Sequence, residues 1–193
     1  NTKTGKRFTD EFGDRKTTTD AIFKVLDAGG KTISVTDSVG VASFSKVRPG
    51  AMDILRKNGA VKEYATLDDL AKAYGISPDA LKQTFAEFNK AIESGKDTEF
   101  GRKLDKDIKP LMHAPYYVSE MSPKIHHTMG GIATDTSTRV LSVVDDKPIP
   151  GLYAAGECTG GIHGAVRIGA NAVMDCLVNG KLAGETVMKD AKK

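Results

Sequence analysis

Residues 152–173, LYAAGECTGGIHGAVRIGANAV, constrain this chain more than any other stretch. Residues 152–157 are largely apolar and of strand length, which predicts a strand buried on both faces that ends on Gly156 and Glu157. Glycines 160, 161, 164 and 169 follow, and a helix is expected from about Asn171 to Lys189. Glycine lets backbone approach a ligand with no Cβ in the way, and the start of a helix offers free N–H groups and positive potential. A glutamate at the carboxyl end of such a strand can accept hydrogen bonds from sugar hydroxyls. On spacing alone, plain packing of helix against strand accounts for the pattern equally well.

Two further side chains sharpen the reading. Arg167 lies inside the glycine-rich loop among small residues, where its guanidinium could grip a carboxylate through two parallel hydrogen bonds. The chain has only four histidines, and two of them, His126 and His127, run into Thr128, Met129 and the glycine pair 130–131. A histidine facing Arg167 could bind the same anion. Each residue alone has an ordinary alternative, Arg167 as a surface cation and His126 as a core histidine, so the combination carries the weight.

The rest of the chain reads as mixed helix and strand. Asp14 or Thr17 caps a helix carrying Ala21, Ile22, Val25 and Leu26, closed by Gly29-Gly30. KTISVTD (31–37) alternates like a short strand. A short helix, Ala51 to Lys57, is expected after Pro49-Gly50. Thr66 opens a capping box ahead of Leu67, Leu70, Ala71 and Tyr74. Ser77-Pro78 starts a helix with Leu81, Phe85, Phe88 and Ile92 on one face, ending near Gly95. Residues 96–113 are charged and read as a surface crossing. Short strands are expected at 115–120 and 139–144, and a turn at Pro148-Ile149-Pro150-Gly151.

Composition excludes little but is consistent. The 28 basic and 25 acidic residues are scattered, which calls for neither nucleic acid nor a membrane surface. No apolar run nears the ~20 residues of a membrane span. Cys158 and Cys176 are too few for a disulfide framework, are not at metal-ligand spacing, and read as packed thiols. No Cys-x-x-Cys-His run for a c-type haem occurs. The chain opens on Asn1, as a processed or trimmed product would, so a missing leader says little about compartment.

HHTMGG, GLYAAGE and TGGIHGAVRIGANA in that order, preceded by GKRFTDEFGDR at 5–15, resemble the flavoprotein subunit of the fumarate reductase and succinate dehydrogenase superfamily. The resemblance is greatest to the soluble flavocytochrome c-type fumarate reductases and to urocanate reductase. It implies an α/β protein: an α+β capping domain, N-terminally incomplete, over residues 1–117, then the C-terminal segment of a Rossmann-like FAD-binding domain over 118–193. It implies FAD as cofactor, no metal, and active-site chemistry where the cap closes over the flavin. Hydride would pass from reduced flavin N5 to one alkene carbon of an α,β-unsaturated carboxylate, and a proton from Arg15 to the other.

The same resemblance assigns His126, Arg167 and the amide of Ala170 to the substrate. It assigns His127, mainly through its backbone, Gly130, Gly131, Glu157, Asn171, Ala172 and Val173 to the flavin. An arginine is an unusual acid, with an ordinary pKa above ~12. It can serve if a carboxylate relay reprotonates it in a closed, dry site; otherwise Arg15 is a charge clamp.

Departures from the family pattern affect the substrate more than the cofactor. Val166 stands where the family writes asparagine, and Ala170 where it writes glycine or serine, which favours an unsaturated carboxylic acid in general over fumarate in particular. The nucleotide-binding GxGxxG unit, a cap histidine and a Thr-Glu pair that the family places upstream are not among these residues. A further N-terminal half, in the same parent chain or a second one, is therefore expected as a partner, with a haem or FMN domain as electron donor. Relatives of this kind include periplasmic proteins, which inclines the compartment that way without fixing it. Two alternatives stand: a flavin-dependent dehydrogenase of another substrate class, such as ketosteroids, and a non-catalytic assembly module.

Overall fold

The computed structural model describes residues 1–192 and divides them into two compact units, Asn1–Pro123 and Lys124–Lys193. The first unit is a three-stranded antiparallel sheet with helices. Asp14 caps α1 (Arg15–Asp27) by accepting from the Thr17 amide, which decides between the two predicted caps. Gly29, at φ +73°, turns the chain out of that helix into β1 (Thr32–Thr36).

Next comes a helix the sequence pattern did not reveal, α2 (Ser38–Val47), capped by Asp37. Helix α3 (Ala51–Lys57) and β2 (Lys62–Tyr64) follow. Thr66 caps α4 (Leu67–Tyr74), accepting from the Asp69 amide while its hydroxyl donates to the Asp69 carboxylate. Ser77 and Pro78 open α5 (Pro78–Ser94), and Gly95 closes it in the left-handed region.

The middle strand, β3 (Tyr116–Met121), pairs antiparallel with β1 on one side and β2 on the other. Val118 is 1% exposed at the centre of the first core, and the first compact unit runs to Pro123. Leu70, Ala71, Ile76, Leu81, Phe85, Tyr116 and Val118 form that core. The i, i+4 spacing of Leu81 and Phe85 places both on the buried face of α5, each contributing about 1.5–3 kcal/mol by leaving water.

Segment 96–113 is more than a surface crossing. Asp97 is buried and accepts from Arg7 through both guanidinium terminal nitrogens, at 3.1 and 2.8 Å, and from the amides of Glu99, Phe100 and Arg102. Arg7 stacks over Phe88 and Phe100. The hydrogen bonds from Arg7 hold the Asp97 carboxyl far below the usual carboxylate range, outweighing the opposite effect of burial. Glu11 accepts from both Arg7 and Arg102, so segment 7–15 is tied to segment 97–102.

In the second unit β4 (Arg139–Leu141) and β5 (Pro148–Tyr153) form a two-stranded antiparallel sheet. A single 3-10 turn, Gly156–Cys158, follows, and then α6 (Asn171–Asp190). Arg139 and Tyr153 both donate to Asp190, tying the sheet to the far end of α6.

Several expectations change here. The strand predicted at 139–144 is only three residues long. Pro148 to Gly151 belong to β5 rather than to a turn, and β5 is exposed along most of its length instead of buried on both faces. Two strands leave both ladder edges outward, where proline's missing N–H costs nothing. Both cysteines are exposed, because Cys158 ends the 3-10 turn and Cys176 lies on an open face of α6.

Candidate functional site

Arg15 belongs to the first unit. It is the first residue of α1, is exposed, and its guanidinium makes no hydrogen bond or ion pair among the described residues. The first turn of α1 carries no acidic residue to pair with it. The remaining predicted residues lie in the second unit, where backbone contacts assemble three segments.

The HHTMGG loop meets the Gly156–Cys158 turn first. Glu157 Oε1 accepts from the Thr128 amide at 3.2 Å, and the Thr128 hydroxyl donates to the Glu157 carbonyl at 3.4 Å. Ile132 N–H donates to the Cys158 carbonyl at 2.8 Å, and Gly160 N–H to the Ile132 carbonyl at 3.1 Å.

That approach explains one of the two glycines. A Cβ on Gly131 would lie 2.4 Å from the Cys158 carbonyl oxygen, and one on Gly160 would lie 2.8 Å from the Gly131 nitrogen. Gly131 is therefore demanded by two backbones in contact. Gly130 has nothing within 4 Å of its missing Cβ, so the free side of the pair is at 130.

The glycine-rich loop packs on α6 through Gly156, whose missing Cβ would stand 3.0 Å from Cys176 Sγ. Arg167, in that loop, is 6% exposed. Its Nη1 donates to the neighbouring Ile168 carbonyl at 2.9 Å, while Nε is closed to water and has no partner. Burying part of a guanidinium unpaired is costly, which favours sites where an anion completes the shell.

Ala170, before α6, adopts φ +67°, a conformation that costs a non-glycine residue about 1 kcal/mol or more. No side chain caps α6, so Asn171, Ala172 and Val173 open a helix whose first-turn amides have no side-chain acceptor. The amides of Asn171 and Val173 donate back to the carbonyls of Ile168 and Ala170.

His126 is exposed and makes no hydrogen bond among the described residues. His127 behaves differently. Both its ring nitrogens are closed to water and unpartnered, and its ring meets that of His163 edge to face, centroids 5.3 Å apart. His163 Nε2 lies 3.2 Å from Asp175 Oδ2, and Asn179 donates to Asp175 Oδ1 at 2.6 Å. Sequence reasoning missed this group. Its signal was present: Asp175 and Asn179 are polar, one turn apart in a helix otherwise open to apolar residues. No group of three or more metal-ligating side chains gathers among the described residues.

Residues 1–173 match the FAD binding domain family. The chain belongs to that family. FAD is the cofactor of its members, and the orphaned polar atoms of His127 and Arg167 with the uncapped start of α6 suit an anionic, hydrogen-bonding group.

Two curated relatives are informative. The chain is 37% identical over 189 residues to the NADH:acrylate oxidoreductase of Vibrio harveyi, covering 95% of this chain and 18% of that protein. It is 39% identical over 189 residues to a fumarate reductase (cytochrome) of Shewanella frigidimarina, covering 98% and 31%. Among solved structures, the open conformation of a flavocytochrome c3 fumarate reductase superposes with a TM-score of 0.73 at 37% identity, over 99% of this chain and 32% of that one. A 3-ketosteroid Δ1-dehydrogenase of Sterolibacterium denitrificans gives 0.74 at 25% identity, over 98% and 38%. The chain thus spans only a fifth to two fifths of the length of these proteins. The fold is of the α/β class expected.

Proposed function

We propose that these residues form one portion of an FAD-dependent oxidoreductase that reduces the C=C bond of an α,β-unsaturated carboxylate. The observation that carries this reading is Arg167: a buried guanidinium, held by one neighbouring carbonyl and otherwise unpaired among the described residues, in a loop that joins the start of α6. A substrate carboxylate would satisfy it with a charge-assisted pair of hydrogen bonds. The names of the fumarate and acrylate relatives support the same substrate class.

Reduced FAD supplies the hydride when bound. In this reading Glu157, the backbone at His127 and Gly130, and the first residues of α6 hold the cofactor, and the positive end of α6 favours negative charge there. His126 and Arg167 hold the carboxylate and so fix which alkene carbon faces the donor. Arg15 delivers the proton to the other carbon, so that one hydride and one proton add across the double bond. A water-excluding closure and a carboxylate that returns the proton to Arg15 are required. The nucleotide-binding half and a haem or FMN electron donor come from outside these residues.

The likeness to a ketosteroid dehydrogenase favours a second reading with a neutral substrate. Arg167 argues against it, because a steroid has no carboxylate to occupy a buried cation. The test begins with native mass and flavin content of the purified protein. The chain itself is 20.6 kDa, so a larger flavin-containing species identifies the complete enzyme, and a flavin-free species of that mass favours the assembly-module reading. Reduced flavin in the complete protein is then mixed with acrylate, fumarate, urocanate or a 3-ketosteroid. Reoxidation by an unsaturated acid and not by the steroid supports the proposal; the reverse pattern rejects it.

A further inference from the structure

We infer that the Asp175–His163 pair positions His127, and through it the front half of the HHTMGG loop. The inference rests on the carboxylate-reductase reading above, because that reading gives the loop its work.

The loop is anchored unevenly. Its rear is held by the hydrogen bonds of Thr128 with Glu157 and by the backbone exchange of Ile132 and Gly160. Ahead of Thr128, Lys124 to His127 make no hydrogen bond among the described residues. The ring contact found there among the described residues is the edge-to-face packing of His127 on His163. His126 therefore depends on its neighbour's ring for its place.

His163 is fixed in turn. Its side chain is 11% exposed and that of Asp175 is 4% exposed. An ionised carboxylate only accepts, so beside one Nε2 of His163 is the donor, and the 3.2 Å contact holds the ring's orientation. Asp175 sits on the fifth residue of α6 and is itself held by Asn179 one turn on. The chain of support runs from helix to carboxylate to imidazole to His127, each member more than half enclosed up to the last step. Edge-to-face ring pairs stabilise beyond the area they bury, which favours one loop conformation. The ring pair forms no hydrogen bond through either His127 nitrogen, and both stay without a partner among the described residues.

The test uses the complete flavoprotein with His163→Ala, His163→Phe and Arg167→Ala. Fumarate and acrylate binding to the oxidised enzyme is followed by the change in flavin absorbance, alongside flavin content and Tm. Misplacing a binding group by about an ångström costs between one and two orders of magnitude. His163→Ala is expected to weaken carboxylate binding about tenfold with flavin content unchanged. His163→Phe keeps an edge for His127 and should stay within about threefold of wild type.

Wild-type affinity in His163→Ala overturns the inference, and so does a His163→Phe protein as weak as His163→Ala. Loss of flavin in His163→Ala also overturns it, since the pair would then serve cofactor retention. If Arg167→Ala binds both acids as wild type does, or wild type binds neither, the carboxylate reading itself falls and takes this inference with it. If Arg167→Ala loses binding while His163→Ala does not, only the positioning role is lost.

Discussion

The two units differ in how much apolar interior they close. In Asn1–Pro123 a cluster of buried apolar residues is continuous, and the buried charges Asp37 and Asp97 are saturated with hydrogen bonds. In Lys124–Lys193 the one buried apolar side chain among the described residues is Val140, while Val173, Met174, Leu177 and Val178 of α6 stand more than half exposed. Among the described residues, Arg167 Nε and both ring nitrogens of His127 are enclosed there without a partner. The first unit also encloses unpartnered atoms, Thr18 Oγ1, Tyr74 Oη and Arg102 Nε, but it has a continuous apolar core to carry its stability. The second unit has no such core beside its open polar groups, which suits a place where something else completes the structure. The second unit is, in the reading proposed here, the one that meets cofactor and substrate.

The comparison breaks most visibly at Asp97. Asp97→Ala leaves the Arg7 guanidinium, whose side chain is 9% exposed, without its buried partner. Breaking such a pair costs about 3–5 kcal/mol. Urea unfolding of the chain should show that loss in the transition of the first unit. The folded carboxyl titrates well below its unfolded value of about 3.9, so its contribution is complete above that pH and drains away as acid is added. Asp97→Ala should flatten the acid limb of the stability profile below pH ~4. A variant as acid-sensitive as wild type would show that Asp97 does not set this limb.

Paired leucines sharpen the contrast. Leu70 is fully buried and Leu177 is 65% exposed. Leu70→Ala should cost about 3–5 kcal/mol through lost burial and cavity, whereas Leu177→Ala in this chain should stay within about 0.5 kcal/mol. Equal losses in calorimetry would erase the difference between the units.

A smaller effect separates the two loop glycines. Gly131→Ala drives a methyl against the Cys158 carbonyl and should cost about 1–3 kcal/mol locally. Hydrogen exchange at the Ile132 and Gly160 amides should then accelerate. Gly130→Ala meets nothing and should leave those amides protected, so any loss of flavin affinity in that variant reports the cofactor's own approach.

Helix starts and stops were legible because they are local chemistry: Asp14, Thr66, Ser77-Pro78 and Gly95 act where the sequence places them. The candidate residues were legible as motifs, and the structure ties Glu157, Thr128 and Gly131 into one assembly. What stayed hidden depends on distant partners. Helix α2 begins at an aspartate whose other oxygen is taken by the amides of Met112 and His113, far along the chain. The role of Asp97 needs Arg7, ninety residues earlier. β3 reads as a strand, but only its pairing with β1 and β2 assigns it to the first unit. Likewise His163 looks like one more loop residue until Asp175 is seen beneath it.

A small effect on stability belongs to the residue with the largest proposed effect on function. Arg167 is enclosed, yet its guanidinium is incompletely paired, so its present contribution to folding is offset by the cost of burial. Replacing it by methionine removes the charge and keeps the length of the side chain. Buried charged groups exchanged for apolar ones of similar volume are often neutral or stabilising. Arg167→Met should therefore change the unfolding free energy of the chain by no more than about 1 kcal/mol in either direction, with a gain the expected sign. In the complete enzyme the same change should weaken binding of an unsaturated acid about a hundredfold, the loss of a charge-assisted pair worth about 3 kcal/mol. A large loss of stability with affinity intact would make Arg167 a structural strut of the second unit and remove the observation that carries the carboxylate reading.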